Sequence, residues 1–197
     1  MFGRSSTLAV PAPVAVKIVV SGGFGVGKTT FVGAISEIEP LVTEAELTEK
    51  SIGVDDTSAV AAKTTTTVAL DFGRITLDES LLLYLFGTPG QDRFAFLWDD
   101  LVHGALGAIV LVDTRRIEDC FPAIDYFEEH DIPFIIGVNA FEGARRFEAA
   151  EIRDALGVAE TMPLLECDAR RRDSVKAVLV ALTERVLARR LNRLGTG

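Results

Sequence analysis

The residues best equipped for chemistry lie in "GGFGVGKT", Gly22 to Thr29, which fits the spacing G-x-x-x-x-G-K-[ST]. Each residue type there has a physical reason. Glycine lacks a Cβ, so the backbone can wrap closely around a compact anion. Successive amide N–H groups then converge into a concave nest that takes up phosphate oxygens. A helix opening near Lys28 adds the positive end of its dipole and its unpaired first-turn amides. In this pattern Gly23, Phe24, Gly25, Val26 and Gly27 form the cradle, and Lys28 reaches the β- and γ-phosphates. Thr29 offers a hydroxyl to Mg²⁺, and Thr30 donates to the α-phosphate. The bland alternative is a Gly-rich turn with a surface lysine. Context separates the two: an apolar run precedes the loop directly and a helix-forming segment follows it.

The elements that must position this loop are short apolar runs alternating with helical segments. "VAVKIVV" (Val14–Val20), "SLLLYLF" (Ser80–Phe86), "ALGAIVLV" (Ala105–Val112) and "IPFIIGV" (Ile132–Val138) are nearly continuous apolar runs. Such runs suit strands of a parallel sheet covered on both faces. "MPLLEC" (Met162–Cys167) reads as a shorter last strand. Helices are expected at Lys28–Ile38, Asp92–His103, Ile117–His130, Phe147–Leu156 and Asp173–Leu194. "TTTTVALDFGRITLDESLLLYLF" reads as two strands joined by a short polar segment, Arg74 to Glu79, so one strand should run against the others. The expectation is a doubly wound α/β sheet of six strands, mostly parallel, with one antiparallel strand. Glu39–Lys63 is acidic, Ser/Thr-rich and weakly periodic, and is expected to be a long loop that is either functional or disordered.

Composition narrows the function classes. The chain has 197 residues, 48% hydrophobic and 25% charged, with a formal net charge of −9. An acidic chain is poorly suited to broad nucleic-acid binding, although it can meet a basic protein partner. Cys120 and Cys167 stand far apart and no Cys/His cluster has metal-ligand spacing, so two reduced thiols are expected. No apolar run has transmembrane length. Residues 1–13 read as a flexible arm and 14–197 as one nucleotide-binding domain. "LNRLGTG" carries no prenylatable cysteine, so membrane contact would be indirect or electrostatic. The four arginines of "ERVLARRLNR" suit a solvated helix face near the negative dipole end or a docking site for a partner or lipid.

"LFGTPGQDRF" (Leu85–Phe94), with the phosphate loop and the hairpin, resembles the Ras-like small GTPases of the P-loop NTPase class. Within them the chain is most similar to the bacterial MglA-like branch and to the conservon-type ATP/GTP-binding proteins of actinobacteria. The resemblance spans roughly residues 14–194. It implies that Gly90 brings a backbone N–H close to the γ-phosphate and that Gln91 orients the attacking water. Counting back from Gly90, the family's carboxylate that holds a Mg²⁺ water falls on Gly87, which has none. Asp92 and the acidic pair Asp55–Asp56 are possible substitutes. The switch threonine that completes the metal shell falls on Thr67, or on Thr66 if the register of the four threonines slips.

The family's base-reading segment N-K-x-D corresponds to Asn139-Ala140-Phe141-Glu142, and its second base loop to "ECDAR", Glu166 to Arg170. By resemblance Asn139 is intact, Glu142 accepts from guanine, Phe141 supplies apolar cover, and the Ala169 N–H meets guanine O6. Cys167 and Asp168 flank the base. Adenine has no N1–H to offer a carboxylate, which favours guanine. Arg93, Arg115 and Arg116 are near enough in sequence to supply a cis arginine. The reading is a cytoplasmic GTP-dependent switch of slow intrinsic hydrolysis, using Lys28, Gln91 and Mg²⁺, stimulated by a partner. Resemblance implies roadblock-type and sensor-kinase-like partners. A pseudo-GTPase that binds without turnover is the second reading, and an ATP-using kinase or ATPase the third.

Overall fold

The computed structural model describes residues 12–39, 41–48, 65–90 and 96–195, and for 41–48 and 65–69 it describes the backbone. Seven strands form one sheet: β1 (Val14–Ser21), β2 (Leu41–Thr48), β3 (Thr65–Asp78), β4 (Leu81–Gly87), β5 (Ala105–Val112), β6 (Phe134–Asn139) and β7 (Leu164–Cys167). Among the described residues five α-helices accompany them: α1 (Lys28–Ile35), α2 (Trp98–Val102), α3 (Phe121–Glu129), α4 (Ala149–Leu156) and α5 (Arg172–Gly195). The strand order is β2-β3-β4-β1-β5-β6-β7. β1 pairs in parallel with β4 and β5, and β6 in parallel with β5 and β7. β3 is antiparallel to both its neighbours, so it alone runs against the sheet.

Alternating side chains explain the continuous apolar runs. Ile18 and Val20 of β1, with Ile109 and Leu111 of β5, enter one core layer beneath α1 and α5. Val19, Ala108, Val110 and Val112 enter the opposite layer beneath α2, α3 and α4. Both faces are covered, so every position along these strands is better apolar.

Six of the seven strands are those read from the sequence. The seventh, β2, lies inside Glu39–Lys63, where a loop is expected. It pairs residue for residue with β3, Leu41 with Phe72 through Thr48 with Thr65. An edge strand with one partner needs backbone hydrogen bonds but no unbroken apolar run, and "LVTEAELT" lacks one. The hairpin turn is also tighter than expected. β3 continues to Asp78, whose Oδ1 accepts from the Ser80 N–H (2.7 Å) and Oγ–H (2.6 Å). α1 ends at Ile35 rather than Ile38, because Ser36 turns extended and its Oγ–H donates to the Ile38 carbonyl at 2.7 Å. Two arginines of α5, Arg189 and Arg193, pair with Asp131 beyond the end of α3. Among the described residues no helix is long and apolar enough to cross a membrane.

The consequence for function is one shared edge. β1, β4, β5, β6 and β7 all end on the same side of the sheet, and the loops after them carry Gly22–Gly27, Thr88–Gly90, Asp113–Arg116, Ala140–Glu142 and Asp168–Arg170. Open α/β sheets bind ligands at this carboxyl edge.

Candidate functional site

The loop after β1 is held from three sides. Gly27 lies at φ 107°, in the left-handed region, and a Cβ there would come 2.6 Å from Asn139 Nδ2. Only glycine combines that conformation with that closeness. Arg116 Nη2 donates to the Phe24 carbonyl at 2.9 Å, and its guanidinium lies between Asp113 (3.9 Å) and Asp119 (3.6 Å). On the third side Thr88 Oγ1 meets Ser21 Oγ at 2.9 Å in a buried pair, and the Thr88 N–H donates to the Val20 carbonyl. α1 then begins at Lys28 with no side-chain cap and no acidic residue in its first turn. Its first amides and its dipole therefore face the loop. Phe24 is exposed and Val26 is buried beneath the loop.

Lys28 is buried, 8% exposed, and its ammonium donates to the carbonyls of Gly22 (2.7 Å) and Gly23 (2.8 Å). Burial pushes its pKa down to about 8, while the charge of Asp71 works in the opposite direction. A Cβ on Gly90 would stand 2.7 Å from Lys28 Nζ and 2.8 Å from Phe24 Cα. The backbone after β4 thus lies directly on the phosphate loop, where a γ-phosphate N–H contact is expected.

Metal-site expectations fare differently from one another. Thr29 stands at the mouth of the loop, its Oγ1–H donating to Asp71 Oδ2 at 2.9 Å. Thr67 is not gathered there. β3 pairs it with Glu46 of β2, four residues beyond Asp71 and ~13 Å farther along the strand. The β2–β3 pairing zips Thr65, Thr66 and Thr67 into the sheet edge, which is why the expected metal role is not met in this conformation. Asp55, Asp56, Gln91, Asp92 and Arg93 lie outside the described residues.

Beside the phosphate loop stands Asn139, 7% exposed at the end of β6, where the base contacts were expected. Its Nδ2 donates to the Val26 carbonyl (2.8 Å), and its Oδ1 accepts from the Ala169 N–H (3.0 Å). One side chain so ties the phosphate loop to the loop after β7. Gly25, Gly27, Thr30, Asn139, Phe141, Glu142, Asp168, Ala169 and Arg170 line a cleft of about 170 Å³. Two expectations change here. The Ala169 N–H, expected to meet O6, is engaged by Asn139. Cys167 does not flank the cleft: its side chain is buried in the core, desolvation pushes its thiol up to about 11, and its carbonyl accepts from the Ala140 N–H at 2.6 Å. Asp168 accepts from Arg170 Nε (2.8 Å) and Nη2 (3.0 Å), and these bonds hold its carboxyl down at about 2. Arg115 is bidentate on the buried Asp113, and its guanidinium lies 4.0 Å over the Phe141 ring.

Sequence reading missed Asp71 and the Arg116 clamp. Asp71 pairs directly with Gly87, and counting outward from a two-residue turn at Glu79–Ser80 would have come close to that pairing. Arg116 had no such signal, because its contact joins residues 92 positions apart.

A glycine-rich loop, a buried lysine and a helix N-terminus at a sheet's carboxyl edge, with a cleft beside them, define a nucleotide-binding P-loop protein. The chain belongs to the family described as conserved hypothetical ATP binding protein, which matches residues 20–192. It is 30% identical over 126 residues to the uncharacterized protein MJ1339 of Methanocaldococcus jannaschii, covering 63% of this chain and 69% of that one. It is 24% identical over 145 residues to the Ras-related protein SEC4 of Saccharomyces cerevisiae, covering 67% of each. Its fold matches the cytosolic domain of the T. maritima FeoB iron transporter in a GDP form, with a TM-score of 0.61 and 18% identity, over 90% of this chain and 65% of that one. The fold class expected from the sequence, a P-loop α/β sheet with one antiparallel strand, is the one found.

Proposed function

We propose that this chain binds GTP and GDP with Mg²⁺ and hydrolyses GTP slowly, as a switch whose turnover a partner protein accelerates. The observation that carries this reading is Asn139, which joins the phosphate loop to the Ala169 loop beside the carboxylate of Glu142. That arrangement supports a base pocket next to a phosphate cradle. Glu142 accepts from a base that carries an N–H at its Watson–Crick edge, as guanine does. Thr29, beside a carboxylate, is suited to a hard cation, which prefers oxygen ligands. When bound, Mg²⁺ neutralises phosphate charge.

Lys28 supplies positive charge to the β- and γ-phosphates, and Gly90 closes over them. Gln91 orients the water. Arg115 and Arg116 are already held by carboxylates, which supports a partner as the source of stimulation. Roadblock-type and sensor-kinase-like proteins, in the cytoplasm, are the partners the resemblance points to. For Thr67 to reach the phosphate mouth, its pairing with Glu46 has to open, and that rearrangement is the switch.

Phosphate release from GTP, with and without the partner, tests the reading. Wild type should turn over slowly alone and faster with partner, and Gln91→Ala should lose roughly 100-fold. Equal, near-zero rates in all samples would make the chain a nucleotide-binding assembly protein instead. Two observations favour adenine as the base: the Ala169 amide is already occupied, and the family is described as ATP binding. Tighter ATP than GTP binding would establish that alternative.

A further inference from the structure

The phosphate loop has two sides, and its residues divide between them. On one side Phe24 packs with Asp113, Arg116 and Asp119 of the segment after β5. On the other, Gly25 and Gly27 line the 170 Å³ cleft, and Phe24 does not. The Phe24–Gly25 peptide is trans, so its C=O and N–H point in opposite directions. Arg116 Nη2 holds the Phe24 carbonyl at 2.9 Å. The Gly25 N–H therefore faces away from Arg116, toward the cleft. Among the described residues it has no acceptor. The donor that holds the carbonyl is itself fixed. Its guanidinium lies 3.9 Å from the buried Asp113 carboxylate and 3.6 Å from that of Asp119. The 3₁₀ turn Ile117–Cys120 presses Asp119 onto the loop: a Cβ on Gly23 would stand 2.4 Å from Asp119 Cβ.

From this geometry we infer that Arg116 is a positioning residue for phosphate: by holding the Phe24 carbonyl outward, it keeps the Gly25 N–H turned inward as a ready donor to a phosphate oxygen of the nucleotide. The inference rests on the nucleotide reading above and deepens it. Gly25 lies at φ 73°, where glycine moves freely, so nothing in its own backbone stops the peptide from turning over. A reversed peptide would offer the phosphate a carbonyl oxygen, which repels it. Arg116 suits the clamp because its planar guanidinium keeps its charge and carries several donors in a fixed fork. One Nη group serves the carbonyl while the other stays beside Asp119. Arg116 thus acts through the loop, and the nucleotide is met by the Gly25 amide.

Three readouts on the full chain test this role: the Gly25 amide in ¹H–¹⁵N spectra, GDP affinity by titration with a ribose-labelled fluorescent GDP, and rescue by free guanidinium. In wild type, saturating GDP should shift the Gly25 amide resonance, as a new hydrogen bond to an anion does. In Arg116→Ala that shift should be lost, and GDP affinity should fall about tenfold. Guanidinium chloride at low, non-denaturing concentration should return part of that affinity, and sodium chloride at equal ionic strength should not. Arg116→Met keeps an unbranched side chain without donors and should lose the shift and the affinity as alanine does. If the alanine variant does not fold, by circular dichroism, the methionine variant is judged on the shift and the affinity alone. Unchanged GDP affinity, a wild-type Gly25 shift in a weakened variant, or equal rescue of Arg116→Ala by sodium overturns the inference. Failure of wild type to bind GDP overturns the nucleotide reading itself, so the two failures are distinct.

Discussion

The phosphate half of the cleft is fixed by buried groups, and the base half largely by exposed ones. Lys28 and the Ser21–Thr88 pair are buried under the first loop. Around the base, Glu142 and Arg170 are exposed, and the Asp168–Arg170 pair faces solvent. Buried polar contacts are strong because leaving one partner unpaired costs the full desolvation penalty. Exposed ion pairs are screened and contribute little. On the proposed function, the comparison puts phosphate binding on buried groups and leaves the choice of base to a few replaceable side chains. Asn139 is the exception that joins the halves, since it is buried and touches both loops.

Substitutions can break this contrast in order of size. Lys28→Ala should have the largest effect, weakening nucleotide binding about 100-fold or more, by the loss of charge-assisted bonds of up to about 3 kcal/mol. Equilibrium titration with labelled GDP measures it. Asn139→Ala should strip partners from the Val26 carbonyl and the Ala169 N–H together. An expected loss of about 2–3 kcal/mol corresponds to a Tm lower by about 5–10 °C without any nucleotide, read by calorimetric melting.

pH gives a third handle on the buried half. Lys28 titrates at about 8 in the free protein, below its ordinary 10.5. Above that pH the lysine is neutral and must take up a proton to meet phosphate. Affinity should therefore fall about tenfold between pH 7 and pH 9, and Lys28→Ala should lose that slope. The same depression has a defined sign for folding. Because the folded value lies below the unfolded one, burying Lys28 opposes folding below pH 8, and that opposition is relieved as pH rises toward 10.5.

In the exposed half, Glu142→Gln should shift the preference for guanine over adenine by about tenfold while leaving triphosphate affinity in place, measured by competition between GDP and ADP. Arg170→Ala should change either affinity by less than about twofold, because its pair with Asp168 is solvent-exposed. A larger effect of Arg170→Ala than of Glu142→Gln would mean that the ion pair, and not the carboxylate, reads the base.

What could be read in the sequence divides along similar lines. The loop from Gly22 to Thr29 was legible because its chemistry is contiguous: glycines, lysine and threonine lie within one turn. β1, β5 and β6 were legible because burial on both faces forces apolar residues at every position. Asn139 and Ala169 were placed by resemblance, but that the Ala169 amide bonds to Asn139 depends on how two distant loops approach. β2 was invisible because one-sided pairing leaves no pattern. Asp71 carried no signal of its own; its contact with Thr29 requires β3 to lie against the phosphate loop, a relation between residues 42 apart. Cys167 was assigned to the base by resemblance, with its segment "ECDAR", yet the last residue of β7 turns its side chain into the core. Local chemistry is written in the chain, whereas cross-strand partnership becomes visible once register is known.

The central claim is that a phosphate cradle joined through Asn139 to Glu142 makes a guanine-nucleotide site. Titration calorimetry of the purified chain with GDP and with ADP, at millimolar Mg²⁺ and pH 7, tests it most directly. The account predicts saturable one-to-one GDP binding and ADP binding at least about tenfold weaker. ADP binding equal to or tighter than GDP, or no heat with either from a demonstrably folded sample, would contradict it.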